Sequence, residues 1–161
     1  MTNCIEIKGL CKSYGDFALN NIDLTLPGGS ILGLIGENGA GKTTTIKCVL
    51  NLIRRDTGEI TLLGYDNVRE ERLAKQDVGV VLDECYLHDT LRPRDVGSIL
   101  APAYQNWDQG LFRDYLSKFG LPEKKFIKEF SRGMKMKLSL SAALAHRPKL
   151  LILDEATAGL D

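Results

Sequence analysis

The run Gly36-Glu37-Asn38-Gly39-Ala40-Gly41-Lys42-Thr43 has the spacing G-x-x-x-x-G-K-[ST]. Glycines in such a run let backbone N–H groups face phosphate oxygens with no side chain intervening. Lys42 supplies a point charge for β- and γ-phosphates, and the Thr43 hydroxyl is the expected Mg²⁺ ligand. Gly36, Asn38, Gly39, Ala40, Gly41 and Thr44 complete the expected phosphate-binding set. Far downstream stands Leu150-Leu151-Ile152-Leu153-Asp154-Glu155, four apolar residues followed by two acids. Such a run suits a fully buried parallel strand whose C-terminal edge faces a ligand crevice. There Asp154 would hold Mg²⁺, directly or through water, while Glu155 would polarise an attacking water. The two motifs together predict a chain that binds a nucleoside triphosphate with magnesium.

These residues need elements to position them. Ser30–Ile35 reads as a buried strand entering the glycine loop, and Thr44–Ile53 as a helix leaving it, with apolar residues at helical spacing. The positive end of that helix favours a phosphate. Cys4–Leu10 and Asn21–Leu26 alternate apolar and polar residues, as half-exposed antiparallel strands do, and Pro27-Gly28-Gly29 marks a turn. Lys75–Leu82 reads as a further strand. From Thr90 to His146 the pattern is helical, broken at Pro93, Pro102 and Gly120-Leu121-Pro122. The class is therefore α/β.

Composition narrows the functions. A chain of 161 residues is about one domain long and can bury a core. Lys and Arg number 21, as do Asp and Glu, so no global basic field recruits nucleic acid or anionic lipid. Cys4, Cys11, Cys48 and Cys85 lack metal-ligand spacing and read as buried, reduced thiols. No signal-peptide pattern opens the chain, and no apolar run reaches membrane-spanning length. A membrane role would come through a partner.

Between the two motifs lies Phe130-Ser131-Arg132-Gly133-Met134-Lys135-Met136-Lys137, which resembles the signature loop and helix of ABC-type ATPases. It diverges from their usual Leu-Ser-Gly-Gly-Gln. Ala158-Gly159-Leu160-Asp161 resembles that family's D-loop, and Tyr14 matches the aromatic that stacks on adenine. The resemblance covers the whole chain. It implies a P-loop NTPase (RecA-like) core, residues 1–83 and 147–161, with an antiparallel β subdomain. A helical subdomain, 84–146, is inserted. Gly58–Leu63 follows the family's habit of a strand after the first helix. ATP and Mg²⁺ are the implied ligands.

The implied partners are a second ABC ATPase domain, in a head-to-tail dimer, and an integral membrane permease. Ser131 and the Gly133 N–H would then reach the γ-phosphate held by the opposite subunit, from the start of a helix. The stripe Met134, Leu138, Ala142 and Ala145 on that helix reads equally as a packing face. The helical arm would touch the permease, with Asp83–Pro93 as its hinge. The implied protein is cytoplasmic, peripheral on the inner face of the membrane.

Two departures stand out. Where the family has a glutamine near Mg²⁺ and the attacking water, this chain has Asp83. An aspartate can ligate Mg²⁺, but ionised it donates no hydrogen bond. That substitution, and the neighbourhood of Trp107 with Phe112, Tyr115, Leu116 and Phe119, resemble a branch of bacterial exporter ATPases. The aromatics themselves read as core packing of the helical subdomain. The second departure is that the family continues past the D-loop into a strand ending in a histidine, for which His88 and His146 are misplaced. His146 reads as a helix C-terminal residue favoured by the dipole. That strand inserts between the glycine-loop and acidic strands, so its absence predicts unpaired apolar edges. The chain thus reads as a piece of a longer protein, an ATP-hydrolysing transporter subunit. The alternatives are a nucleotide-binding module without turnover, and a soluble ABC ATPase outside transport. The transported substrate is not legible.

Overall fold

The apolar–polar alternation near the start folds into a long antiparallel hairpin, β1 (Asn3–Tyr14) and β2 (Phe17–Pro27), turning at Gly15 and Asp16. It belongs to a computed structural model that describes residues 3–155, in two compact units dividing between Lys75 and Gln76. In the first unit β1 also pairs with β3 (Thr57–Leu62), and β3 with the short β4 (Tyr65–Asp66). The sheet order is β2-β1-β3-β4, antiparallel throughout. Ile5, Ile7 and Leu10 from β1 and Ile60 and Leu62 from β3 are buried. Each fully buried Ile or Leu is worth about 1.5–3 kcal/mol of transfer free energy. Helix α1 (Lys42–Val49) packs against β3, and α2 (Glu71–Gln76) closes the unit. Gly58 permits a close crossing: at φ 99°, a Cβ there would lie 2.6 Å from the Gly9 carbonyl oxygen.

The expected strand over Ser30–Ile35 does not form. Those residues are irregular, and Ile31 and Ile35 are 100% and 98% exposed. An extended segment becomes a strand only when a neighbour takes its hydrogen bonds, and no described strand pairs with it. The helix after the loop also ends earlier than its periodicity suggests, at Val49. Asn51 at φ 53° reverses the chain there, and the Leu52 N–H bonds the Lys47 carbonyl at 2.9 Å.

The second unit holds β5 (Val78–Val81) and β6 (Leu150–Leu153), paired in parallel with Val78 opposite Leu150 and Val81 opposite Leu153. The helical segment lies between them in sequence: α3 (Pro93–Leu100), α4 (Gln109–Lys118), a 3₁₀ turn at Ile127–Glu129, and α5 (Arg132–Leu144). Pro93 opens α3 rather than breaking it, because the first helical position has no N–H to lose. Asp108 caps α4 by accepting the Leu111 N–H at 2.9 Å, and Gly120 at φ 67° ends it. Phe112, Leu116, Ile127 and Leu138 form the core of this arm, and Trp107 leans on Phe112 at 5.2 Å between ring centroids. The aromatic run is packing, as expected. Helix α5 lies on β5 so closely that a Cβ on Gly79 would meet the Ala143 carbonyl oxygen at 2.8 Å.

Two expectations need correcting in this unit. Strand β6 is not buried on both faces, since Leu150 and Ile152 are covered while Leu151 and Leu153 are exposed. Burying both faces of a parallel strand requires cover on each side. The stretch from Lys75 is helical through Gln76 and becomes strand only at Val78. Of the four thiols, all free, Cys48 alone is buried; the others are half-buried. The α/β class, the antiparallel sheet and the helical segment between the parallel strands stand as read from the sequence.

Candidate functional site

In the first unit the glycine loop is built by its own backbone. Gly39 and Gly41 take φ of 84° and 90°, and the Ala40 N–H closes a turn onto the Glu37 carbonyl at 3.1 Å. Gly41 is obligatory twice over: its φ is left-handed, and a Cβ would meet Leu19 Cδ2 at 2.5 Å. A Cβ on Gly36 would press on that of Ala40 at 3.1 Å. Lys42 opens α1 and folds back over the loop, donating to the Gly36 carbonyl at 2.7 Å and the Glu37 carbonyl at 2.9 Å. Its ammonium is thereby held against the loop, whose Asn38 is exposed. Thr43 and Thr44 follow in the first turn, half-buried. Thr45, which drew no attention in the sequence, is buried and donates its hydroxyl to the Gly41 carbonyl at 2.9 Å, stitching helix to loop. Free N–H groups at a helix start, a lysine above them and a hydroxyl beside them suit a polyphosphate.

Tyr14 lies at the end of β1, half-exposed, with Lys12 Nζ 4.8 Å from its ring centroid. Lys12 is fixed by Asp56, whose carboxylate accepts the Lys12 ammonium at 2.9 Å and the Ser13 N–H at 2.7 Å. Those two bonds hold the Asp56 carboxyl below the usual carboxylate range, and the pairing raises Lys12 above its ordinary value. An exposed ring with a cation beside it can take a flat base.

In the second unit Asp154 follows β6. Its N–H bonds the Val81 carbonyl at 2.9 Å, so the residue is clamped to the end of β5. The side chain is 4% exposed, and Oδ2 has no hydrogen-bond partner among the described residues. A buried carboxylate oxygen left unpaired is costly unless a cation meets it. Glu155 comes next at φ 48°, exposed to solvent. Among the described residues no three His, Cys, Asp or Glu gather as a protein-only metal cage.

Asp83, half-buried, opens a cleft of about 570 Å³ also lined by Glu84, Cys85, Arg132, Lys135 and Ser139. Ser131 caps α5, accepting the Met134 N–H at 3.2 Å, and Gly133 sits in the helix's first turn. Lys135 is held to Asp89 at 2.6 Å. The D-loop resemblance, Ala158–Asp161, lies outside the described residues. The structure thus brings together Gly36, Gly39, Gly41 and Lys42 in one loop, and Asp83 with the start of α5 around one cleft.

His146 needs a different account from a charged helix end. It is buried, with Nε2 3.3 Å from the Val78 carbonyl oxygen and its ring stacked on Tyr104 at 4.0 Å. Burial lowers its pKa and favours the neutral ring, so it carries no charge to set against the dipole.

Comparison with known proteins agrees with this geometry. The family model described as "ABC transporter" matches residues 19–158. The chain is 36% identical over 163 residues to the linearmycin resistance ATP-binding protein LnrL of Bacillus subtilis, covering 98% of this chain and 52% of that protein. To the lantibiotic transport ATP-binding protein SrtF of Streptococcus pyogenes it is 35% identical, covering 98% and 68%. To the bacitracin transport ATP-binding protein BcrA of Bacillus licheniformis it is 34% identical, covering 100% and 54%. Among solved structures, one described as an ATP-binding subunit of an ABC transporter superposes with a TM-score of 0.88 at 28% identity, covering 97% of this chain and 68% of that one. The chain spans about half the length of LnrL and BcrA.

Proposed function

The chain belongs to the ABC transporter family, and from that premise we propose that it is the ATP-binding and ATP-hydrolysing part of a bacterial exporter, coupled to a separate membrane permease. The observation that carries this reading is the glycine loop, whose two left-handed glycines and folded-back Lys42 leave helix-start N–H groups free for a polyphosphate. Gly36, Asn38, Gly39, Ala40 and Gly41 supply the cradle, Lys42 neutralises β/γ charge, and Thr44 closes the first turn. Tyr14 stacks on the adenine. Mg²⁺, when bound, neutralises charge developing on the phosphate oxygens. Thr43, Asp154 and Asp83 would hold it, and the unpaired Asp154 Oδ2 supports that role. Glu155, exposed after β6, accepts a proton from the attacking water and orients it.

Ser131 and the Gly133 N–H, at the start of α5, are offered to the γ-phosphate held by a second ABC ATPase domain. The helical arm meets the permease, and Asp83–Pro93 is its hinge. A second cleft of about 250 Å³ in that arm, lined by Tyr86, Leu87, Leu100 and Tyr104, supports a docking role. Among the described residues no helix is long and apolar enough to cross a membrane. From its family membership we place the protein in the cytoplasm, peripheral on the membrane's inner face. Export is supported by relatives named for linearmycin resistance and for lantibiotic and bacitracin transport.

Glu155→Gln tests the chemistry. In the full-length protein it is expected to abolish Mg²⁺-ATP hydrolysis while ATP still binds. Turnover unchanged from the parent would remove Glu155 from the mechanism.

A further inference from the structure

Asn67 is a polar side chain at 1% exposure. Its amide nitrogen donates to the carbonyls of Cys48 and Val49, both at 2.9 Å. Both carbonyls belong to the last turn of α1, where no intrahelical donor follows, and that of Cys48 also accepts the Asn51 N–H at 3.1 Å. Its amide oxygen accepts Arg55 Nη1 at 2.8 Å, and its backbone N–H bonds the Ile60 carbonyl at 3.1 Å. The amide orientation follows from chemistry, because guanidinium only donates and carbonyls only accept. Asn67 therefore ties the C-terminal end of α1 to the antiparallel sheet.

The tie continues toward the base-stacking end. Arg55 also donates from Nε to the Gly58 carbonyl at 2.8 Å. Its neighbour Asp56 bonds the Cys11 carbonyl through its N–H at 2.9 Å, and its carboxylate holds Lys12 and Ser13, the two residues before Tyr14. One connected set of hydrogen bonds thus runs from the tyrosine's strand end, through Arg55 and Asp56, to the far end of α1. Length explains why the far end matters. Eight residues make a helix about 12 Å long, so a rotation of about 5° at its C-terminus shifts the phosphate-binding turn by about 1 Å.

We propose that Arg55, Asp56 and Asn67 form a brace that holds the phosphate helix and the base-stacking tyrosine in register, with Asn67 a positioning residue for the phosphates and Asp56 one for the base. This rests on the nucleotide reading above and deepens it. None of the three belongs to the nucleotide-binding set proposed above. Each acts through an element that does: Asn67 through α1, Asp56 through Lys12–Tyr14.

The test compares ATP with inorganic tripolyphosphate, which has the phosphates and lacks the base, by titration calorimetry on the full chain. Asn67→Asp keeps the shape and the Arg55 contact but loses both donors. It is expected to weaken ATP and tripolyphosphate alike, by about five- to tenfold, as two lost hydrogen bonds allow. Asp56→Asn is expected to weaken ATP by about threefold and leave tripolyphosphate unchanged. A purely structural role would not split the two ligands. Unchanged affinities in folded N67D, or equal losses for both ligands in D56N, would overturn the brace. Should N67D not fold, Arg55→Lys breaks the same link, because an ammonium cannot bridge Gly58 and Asn67 as a guanidinium does, and the expected loss is again common to both ligands. Lys42→Ala separates the two levels. If it leaves both affinities untouched, the phosphate site itself is misassigned; if it weakens both while N67D and R55K do not, only the brace fails.

Discussion

In the unit that ends at Lys75, the buried polar side chains are bonded: Thr45 to the Gly41 carbonyl, Asn67 to two carbonyls and a guanidinium. In the unit that begins at Gln76, Arg92 Nε, His146 Nδ1 and Asp154 Oδ2 are buried without a hydrogen-bond partner among the described residues. Arg92 has a compensation, its guanidinium lying 4.4 Å over the Phe126 ring. His146 is partly served by Val78 and by the Tyr104 ring. Asp154 has no such relief for Oδ2, and it is the one placed at the C-terminal edge of a parallel strand. The contrast separates two ways of making a binding site. A cradle of backbone N–H groups can be finished in advance, because its own fold satisfies everything around it. On the reading proposed above, the carboxylate that takes the cation stays unsatisfied until it arrives.

If that contrast is right, the second unit owes its stability to packing and not to its polar atoms. Phe112→Ala should then cost about 3–5 kcal/mol in urea unfolding, since the ring is completely buried among Val96, Leu116 and Ile127. A loss below about 1 kcal/mol would mean the arm collapses around the gap, and the comparison would lose its premise. Asp154→Asn is the sharper and smaller test. Removing the charge should raise stability in magnesium-free buffer by about 1 kcal/mol, the low end of the penalty for a buried unpaired group. The parent should gain stability from Mg²⁺ with ATP, and the variant should lose most of that gain. Were the variant less stable than the parent without metal, Asp154 would be a structural residue.

How much of this was legible depends on the distance over which each requirement acts. The glycine loop was readable because its demands are local: left-handed φ at Gly39 and Gly41, a cation and a hydroxyl next to them. The β1–β2 hairpin was readable from alternation, and the start of α5 from Ser131, whose capping bond spans three residues. What failed was non-local. Ser30–Ile35 has the composition of a strand, but composition cannot supply the neighbour that would pair with it. Asn67 carries no local signal, because the carbonyls it bonds lie 19 and 18 residues away in sequence. His146 stands at a helix end, as its sequence suggests, but its burial against Tyr104 and Val78, 68 residues upstream, has no local signal.

The buried His146 gives the smallest effect and the one whose sign is most easily checked. Burial outweighs the Val78 and Ala142 carbonyls and the field of Asp77, so the folded-state pKa lies below the ordinary 6.5. An unfolded chain takes up the proton near pH 6.5, and the folded chain takes it up only at lower pH. Below that pH the unfolded state therefore binds more protons, and stability falls as pH falls. The slope cannot exceed about 1.4 kcal/mol per pH unit for one group. Paired acids do not confuse this window. Asp56, Asp66 and Asp108 are held below 3.8, and Glu71 below 4.5, so they stay ionised in the folded protein from pH 7.5 to 5.5. Urea unfolding at those two pH values should show the parent losing up to about 1 kcal/mol on acidification. His146→Gln should lose little. Equal losses in the two proteins would place the proton uptake elsewhere and leave the buried histidine indifferent to pH.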